Sequence, residues 1–452
     1  MAVSDAAPLR PVAGPRRLPV LGNLLSFGRD PLDFMVRLRE DHGDFVTWSL
    51  GPQRCVLLSH PQHIAALLAA DGSDFERSDV GWTISQVTGN SVAAARGEQW
   101  RRKRTKVQAA VRPRQVRAYA ATMASHAGAH AGQWRDGQRI DVLEEMTGIT
   151  QGIINRTLFG DTPQAHGRDL RAAMATVEHE LAAAVLRGID LFLPGWVRTP
   201  SRKRLLAALS VIDAVIYRLI QERRANPGDR RQDVLDMLLA ERDEQGRPLT
   251  DTEVRDEAVT LWIAGHETTA AALTWTWLEL SGAARTRSRL SEELHRVLGG
   301  RTPTHEDYDR LPYTQQVVKE ALRLYPPIWT LSMTALHDTA LAGIPIPART
   351  LVWCSQWSVH RDPRWFPDPQ TFQPERFAVG SPVSATDHAW FPFGTGPRAC
   401  LGARLAQVQV VLVLAALAQR FHLDVDPGRI APLPGAILRP AAPVLATVRA
   451  LR

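Results

Sequence analysis

The sequence predicts a mainly α-helical protein with a smaller β-rich part, on three observations. From about residue 98 to 298 apolar residues recur at helical spacing. Within that region "DTEVRDEAVTLWIAGHETTAAALTWTWLELSG" runs for about thirty residues without proline and is nearly apolar all round in its second half. Such a helix has little surface suited to water and belongs in the interior. Strand-like, proline-rich segments lie outside that region, at approximately 45–60, 328–390 and 430–452.

The elements follow in order. "DPLDFMVRLREDHG" reads as a helix, and "DFVTWSLGPQRCVLLSH" as a hairpin turning at Gly51-Pro52. "KRLLAALSVIDAVIYRLIQERR" sets Leu205, Ile212, Val215, Ile216, Leu219 and Ile220 on one helix face. The long central helix has Thr252 with Glu253 or Glu257 available near its start. "TQQVVKEALRLYPP" is a helix stopped by Pro326-Pro327. The helical part thus spans approximately 98–326 and 402–420, within a single domain of 452 residues without repeats or flexible linkers.

Composition narrows the function. No stretch approaches the roughly 18 apolar residues of a membrane span, and prolines interrupt the N-terminus where a signal peptide would stay apolar. The expectation is a cytoplasmic protein with no membrane anchor. Most Arg and Lys are scattered along amphipathic helices, so a net charge of +7 does not read as nucleic-acid binding. The dense run "WRRKRTK" at 100–106 suits docking of an acidic protein partner better.

Of three cysteines, Cys55 and Cys354 lie in apolar strand-like runs and read as buried thiols. Cys400 lies in "FPFGTGPRACLGARLA", among Gly394, Gly396, Pro397, Arg398 and Gly402. The glycines permit conformations and close approaches that a side chain forbids. A helix beginning near Gly402 brings its N-terminal dipole and free N–H groups close to the sulfur, which favours a thiolate. Structural zinc would need further ligands at short spacing, and no local histidine would activate a nucleophile. One thiolate is enough to hold a haem iron from one side; the alternative is a glycine-rich turn that happens to contain a cysteine.

The segment Phe393-x-x-Gly396-x-x-x-Cys400-x-Gly402 resembles the haem-binding signature of the cytochrome P450 family. "AGHETT" (Ala264 to Thr269), "EALR" (Glu320, Arg323), "PERF" (Arg376) and "WRRKR" (Trp100, Arg104) fit the same family in order, and the resemblance covers nearly the whole chain. It implies the cytochrome P450 fold, a triangular helical prism with a long central helix over the haem. It implies haem b as cofactor, O2 as co-substrate, and electrons drawn ultimately from NAD(P)H through a separate acidic ferredoxin or flavodoxin-type donor. Cys400 becomes the metal ligand, with Phe393 and Gly402 beside it. Trp100, Arg104 and Arg398 are the donors for the haem propionates. Ala264 and Gly265 let the central helix lie close to the haem. Thr268 holds water or an oxygen species and Glu267 passes protons inward. His266 receives no role and reads as packing. Glu320, Arg323 and Arg376 form a buried structural network.

One departure stands out: the family often has an arginine near Met333 reaching a propionate; either His360 or another basic group compensates, or one propionate is held less tightly. Substrate contacts are expected at Trp82, Ile84, Ala264, Ile328, Trp329 and Ile437, in segments that include "LFLPGWV" near 191–197 and Gly435 to Ile437. These are mostly apolar and fit a medium-sized apolar natural product such as a terpenoid; the composition suits a bacterial source. The main reading is a haem-thiolate monooxygenase. A second keeps the haem but ends in desaturation, coupling or peroxide-driven oxidation. A third is a non-enzymatic helical binding protein with a structural Cys400.

Overall fold

The structure is a computed structural model that describes residues 14–70, 72–78, 81–160, 164–187, 193–226, 233–243, 245–381, 388–428 and 430–451. The chain divides into two compact units. The first comprises residues 1–78, 328–370 and 385–400; the second holds the rest.

The first unit is built on a five-stranded sheet in the spatial order Phe45–Leu50, Gln53–Leu58, Leu351–Cys354, Leu331–Ala335, Phe75–Arg77. The expected hairpin turns at Gly51-Pro52, with Leu50 opposite Gln53 and Gly51 at φ +55. Glycine first in a two-residue loop matches the right-handed twist of the flanking strands. Gln53–Leu58 then pairs in parallel with Leu351–Cys354, joining distant parts of the chain. Phe45, Val56, Ile64, Phe75, Met333 and Val352 fill the core against this sheet. Helix Pro31–His42 starts on an Asp30 cap with proline in its first turn and stops at Gly43, φ +90. Beside it Trp48 packs against Phe27, Phe34 and Trp353.

The second unit is mainly helical. Its central helix, Asp251–Gly282, has 32 residues and is therefore about 48 Å long. Its start differs from expectation. Thr250 is the cap, its hydroxyl accepting the Glu253 N–H while the Glu253 side chain accepts the Thr250 N–H. Thr252 is thus already inside the helix, and Glu257 is buried one turn further on. Trp262, Trp275 and Trp277 bury completely along this helix. Trp275 stacks on Tyr325 at 4.0 Å and donates its indole N–H to the Leu438 carbonyl at 3.2 Å. The six apolar positions named on helix Pro200–Ala225 are all buried. Strand Leu445–Ala450 pairs with Arg139–Asp141 and Phe421–Val425 inside this unit, so the C-terminal strands belong with the helices.

Candidate active site

In the first unit, residues 391–400 form a pinned loop. The Gly394 N–H donates to the Phe391 carbonyl at 3.0 Å, and the Cys400 N–H to the Phe393 carbonyl at 2.8 Å. Gly394 and Gly396 have φ +67 and +72. A Cβ on Gly396 would lie 2.8 Å from the Leu68 carbonyl carbon and closer still to its oxygen, so only glycine fits. Cys400 is exposed, whereas Cys55 and Cys354 are buried. Burial pushes both of those thiols up to about 12.

His360 is fully buried and its Nε2 accepts the Phe391 N–H at 3.1 Å. That nitrogen therefore carries no hydrogen, and the ring buttresses the loop edge-on to Phe391 at 5.4 Å. Nε2 is thus committed to the loop and offers no hydrogen to a propionate, against one of the alternatives expected for His360. Met333 packs in the core, and the sheet register sets the exposed Arg77 opposite it. Phe393 and Arg398 are half-buried.

Gly402 caps helix Ala403–Ala418 with an ordinary φ of −87. Apart from its chain neighbours, no described part of the protein comes within 4 Å of where its Cβ would stand. An exposed thiol on a loop pinned by glycines fits a prosthetic group held through sulfur.

In the second unit, Trp100 is buried on helix Gly97–Val107 and the Arg104 guanidinium lies over its ring at 5.7 Å. The two therefore share a face, as their spacing requires. Lys103 ties this helix to the central one through Glu257, at 3.3 Å. Glu257 also accepts the Val92 N–H, and burial pushes its carboxyl up. Arg101 and Arg102 are exposed and pair with Glu98 at 3.2 and 3.6 Å.

Along the central helix Ala264 is exposed and Thr268, one turn on, is half-buried. The Thr268 hydroxyl donates to the Ala264 carbonyl at 2.8 Å. That bond uses its hydrogen and leaves oxygen lone pairs able to accept. A Cβ on Gly265 would come 2.5 Å from Ile154 Cδ1, so a small residue there also serves packing against helix Val142–Phe159.

Glu267 is buried and paired with Arg439. Arg439 also reaches Glu178 at 3.2 Å, and Glu178 lies 2.8 Å from His266 Nε2. His266 is more than packing, and neither Glu178 nor Arg439 was visible as a site residue from spacing. The adjacency of His266 to Glu267 was the only hint. Elsewhere Glu320 binds Arg323 through two bonds of 2.8 Å and Arg376 at 3.3 Å, and accepts the Gln373 N–H at 2.9 Å. All three side chains are buried, so the expected structural network is present.

The expected substrate contacts divide between the units. Trp82 and Ile84, on helix Gly81–Thr88, are half-buried and fall in the second unit with Ala264 and Ile437. The Arg202 guanidinium covers Trp82 at 4.4 Å. Ile328 and Trp329 fall in the first unit, where Trp329 is buried and its carbonyl accepts the Ser355 hydroxyl. Residues 191 and 192 lie outside the described residues, and Trp196 is exposed. Among the described residues no helix is long and apolar enough to cross a membrane.

The sequence profile of the family Cytochrome P450 matches residues 12–446. Cyclooctat-9-en-7-ol 5-monooxygenase of Streptomyces melanosporofaciens is 33% identical over 94% of this chain and 93% of its own. Pentalenene oxygenase of Streptomyces avermitilis is 33% identical over 92% of each. Among solved structures, retinoic acid bound cyanobacterial CYP120A1 superposes with a TM-score of 0.85 at 25% identity, covering 97% of this chain and 99% of the other.

Proposed function

From the premise that the chain belongs to the cytochrome P450 family and is a monooxygenase of it, we propose that it oxidises a terpenoid-sized apolar molecule at a haem b held through Cys400. The exposed Cys400 thiol on its glycine-pinned loop is the observation that carries the reading. When bound, the haem supplies the activation of O2 and the insertion of one oxygen atom, with electrons delivered by a partner protein.

The chain's own residues do the rest. The Phe391–Cys400 loop holds the sulfur at a fixed point, so a ligand bond forms without reordering the backbone. Trp100, Arg104 and Arg398 are proposed to anchor the propionates by N–H donation. The Thr268 oxygen can accept a hydrogen bond while its own hydrogen stays on Ala264, and Glu267 is proposed to pass protons inward. Apolar side chains at Trp82, Ile84, Ile328 and Ile437 offer no charge to clamp a polar substrate, which favours hydrocarbons and simple alcohols. The relatives named for pentalenene and cyclooctat-9-en-7-ol act on molecules of that kind. The exposed Arg101 and Arg102, proposed as a docking face, suit an acidic ferredoxin or flavodoxin drawing on NAD(P)H.

The reduced, carbon monoxide-treated protein should show a strongly red-shifted Soret band that Cys400→Ser abolishes. Soret shifts on titration with a panel of cyclic terpenes then test the substrate class. A Cys400→Ser protein that retains the band would sink the ligand assignment. A panel that leaves the band unmoved, while a charged metabolite moves it, would sink the substrate class.

A further inference from the structure

Four charged or titratable side chains face one small cavity in the helical unit: Glu178 on helix Gln164–Arg187, His266 and Glu267 on the central helix, and Arg439 on strand Leu438–Pro440. The cavity is about 30 Å³, room for one or two waters. Its other walls, Leu143, Thr147, Ala270 and Ala271, carry no charge.

The hydrogen bonds fix where the protons sit. His266 Nδ1 lies 2.8 Å from the Trp262 carbonyl, which can only accept, so Nδ1 carries hydrogen. Its Nε2 lies 2.8 Å from Glu178 Oε1, so one further proton is held between imidazole and carboxylate. Burial opposes ionisation of Glu178, but the bond from His266 and the charge of Arg439 outweigh it and hold its carboxyl below the usual range. Both ring nitrogens therefore face acceptors, the Trp262 carbonyl and the Glu178 carboxylate, inside a fully buried ring, the setting that suits a doubly protonated imidazole. On the other side of Glu178, a single nitrogen, Arg439 Nη2, reaches both Glu178 Oε2 and Glu267 Oε1. Arg439 itself is fixed because Leu438 donates its N–H to Pro327 at 2.8 Å and accepts from Trp275.

We propose that the His266–Glu178 couple is the proton store that reloads Glu267, and that Arg439 is the positioning residue holding the two carboxylates within relay distance. This rests on the proposed role of Glu267 in proton delivery. In the step, Nε2 of the imidazolium gives its proton to Glu178 Oε1, leaving a neutral ring and a neutral acid. Water in the cavity then carries a proton from Glu178 to the Glu267 carboxylate, restoring the Glu178 anion. The ring regains its proton from solvent through the partly exposed edge of Glu178. Charge is conserved at each transfer.

The test uses two readouts on the intact holoenzyme. The first is nitrogen NMR of 15N-histidine-labelled, carbon monoxide-bound ferrous protein at pH 7.5, with His266 assigned by loss of its signals in His266→Gln. The expected spectrum shows both His266 nitrogens protonated in the wild type and Nε2 bare in Glu178→Gln, whose amide can donate to it. A neutral His266 in the wild type overturns the proposal even if every variant fails to fold. The second is O2 consumption by the substrate-free enzyme, fed by a [2Fe–2S] ferredoxin and its NADPH-dependent reductase, in H2O and D2O. Glu178→Gln should slow it roughly a hundredfold, the lower end for a positioned proton donor, with a larger solvent isotope effect and an unchanged carbon monoxide spectrum. Arg439→Lys should recover part of what Arg439→Met loses. If Glu267→Gln is slowed while Glu178→Gln and Arg439→Met match the wild type, the relay is wrong and the role of Glu267 stands. If Glu267→Gln also matches the wild type, the underlying role fails and the relay with it.

Discussion

Gly396→Ala puts the thiol loop to a quantitative test. Gly396 adopts φ +72, a region that costs a residue bearing a Cβ roughly 1–2 kcal/mol. The new carbon would also overlap the Leu68 carbonyl at the end of helix Pro61–Ala69. Backbone at a helix end cannot swing aside as a flexible side chain can, and such overpacking costs about 1–3 kcal/mol. The combined loss is about 2–5 kcal/mol, read as a lowered guanidinium midpoint by tryptophan fluorescence. Gly128→Ala is the control, because that glycine is inside helix Pro113–Ala131 with nothing near its Cβ direction. It should gain about 0.5–1 kcal/mol from helix preference alone. If Gly396→Ala unfolds within about 0.5 kcal/mol of the wild type, the range of ordinary surface changes, the claim that Leu68 and the backbone angle demand glycine is refuted.

Other outcomes follow from the same geometry. Glu320→Gln leaves Arg323 and Arg376 buried without their counter-charge, and should lower stability by about 3–5 kcal/mol, measured by the unfolding midpoint and the yield of folded holoprotein. In haem-free protein at pH 8, iodoacetamide should modify Cys400 while Cys55 and Cys354, buried and with thiols near 12, stay unmodified by mass spectrometry. His126 is held neutral to about 4 by burial, then by Arg156 and His130, with the Arg156 guanidinium donating to its Nδ1 at 2.9 Å. Its folded value lies below the unfolded one of 6.5, so its contribution is complete above that pH and falls as pH drops toward 4. A melting-temperature profile between pH 7 and 4.5 should therefore be flatter in His126→Gln than in the wild type.

Much of the fold was legible because its signals are local. The hairpin turn at Gly51-Pro52, the buried face of helix Pro200–Ala225 and the stop after Leu324 all depend on residues within a few positions of one another. The central helix was visible from its unbroken apolar run, but its cap was misplaced. Thr250 and Thr252 are both suitable residues, but only Thr250 has a glutamate, Glu253, three positions on to complete a capping box. The C-terminal strands were recognised as strands, yet their partners, Arg139–Asp141 and Phe421–Val425, lie in the helical unit. Strand pairing across long loops leaves no periodic trace in either segment.

The sequence by itself marked most of the side chains proposed to carry the chemistry. A cysteine between glycines, and an alanine and threonine four apart on a helix, express their geometry through the backbone next to them. Only the tertiary structure decided what those residues touch. It turned Gly265 toward Ile154, and spent His360 on the Phe391 amide rather than on a propionate. It also joined His266 to Glu178, 88 positions away, and Glu178 to Arg439, 261 positions away. The physical reason is that a buried polar atom must find its partner wherever packing brings one within about 3 Å, and packing depends on the whole chain rather than on any segment of it.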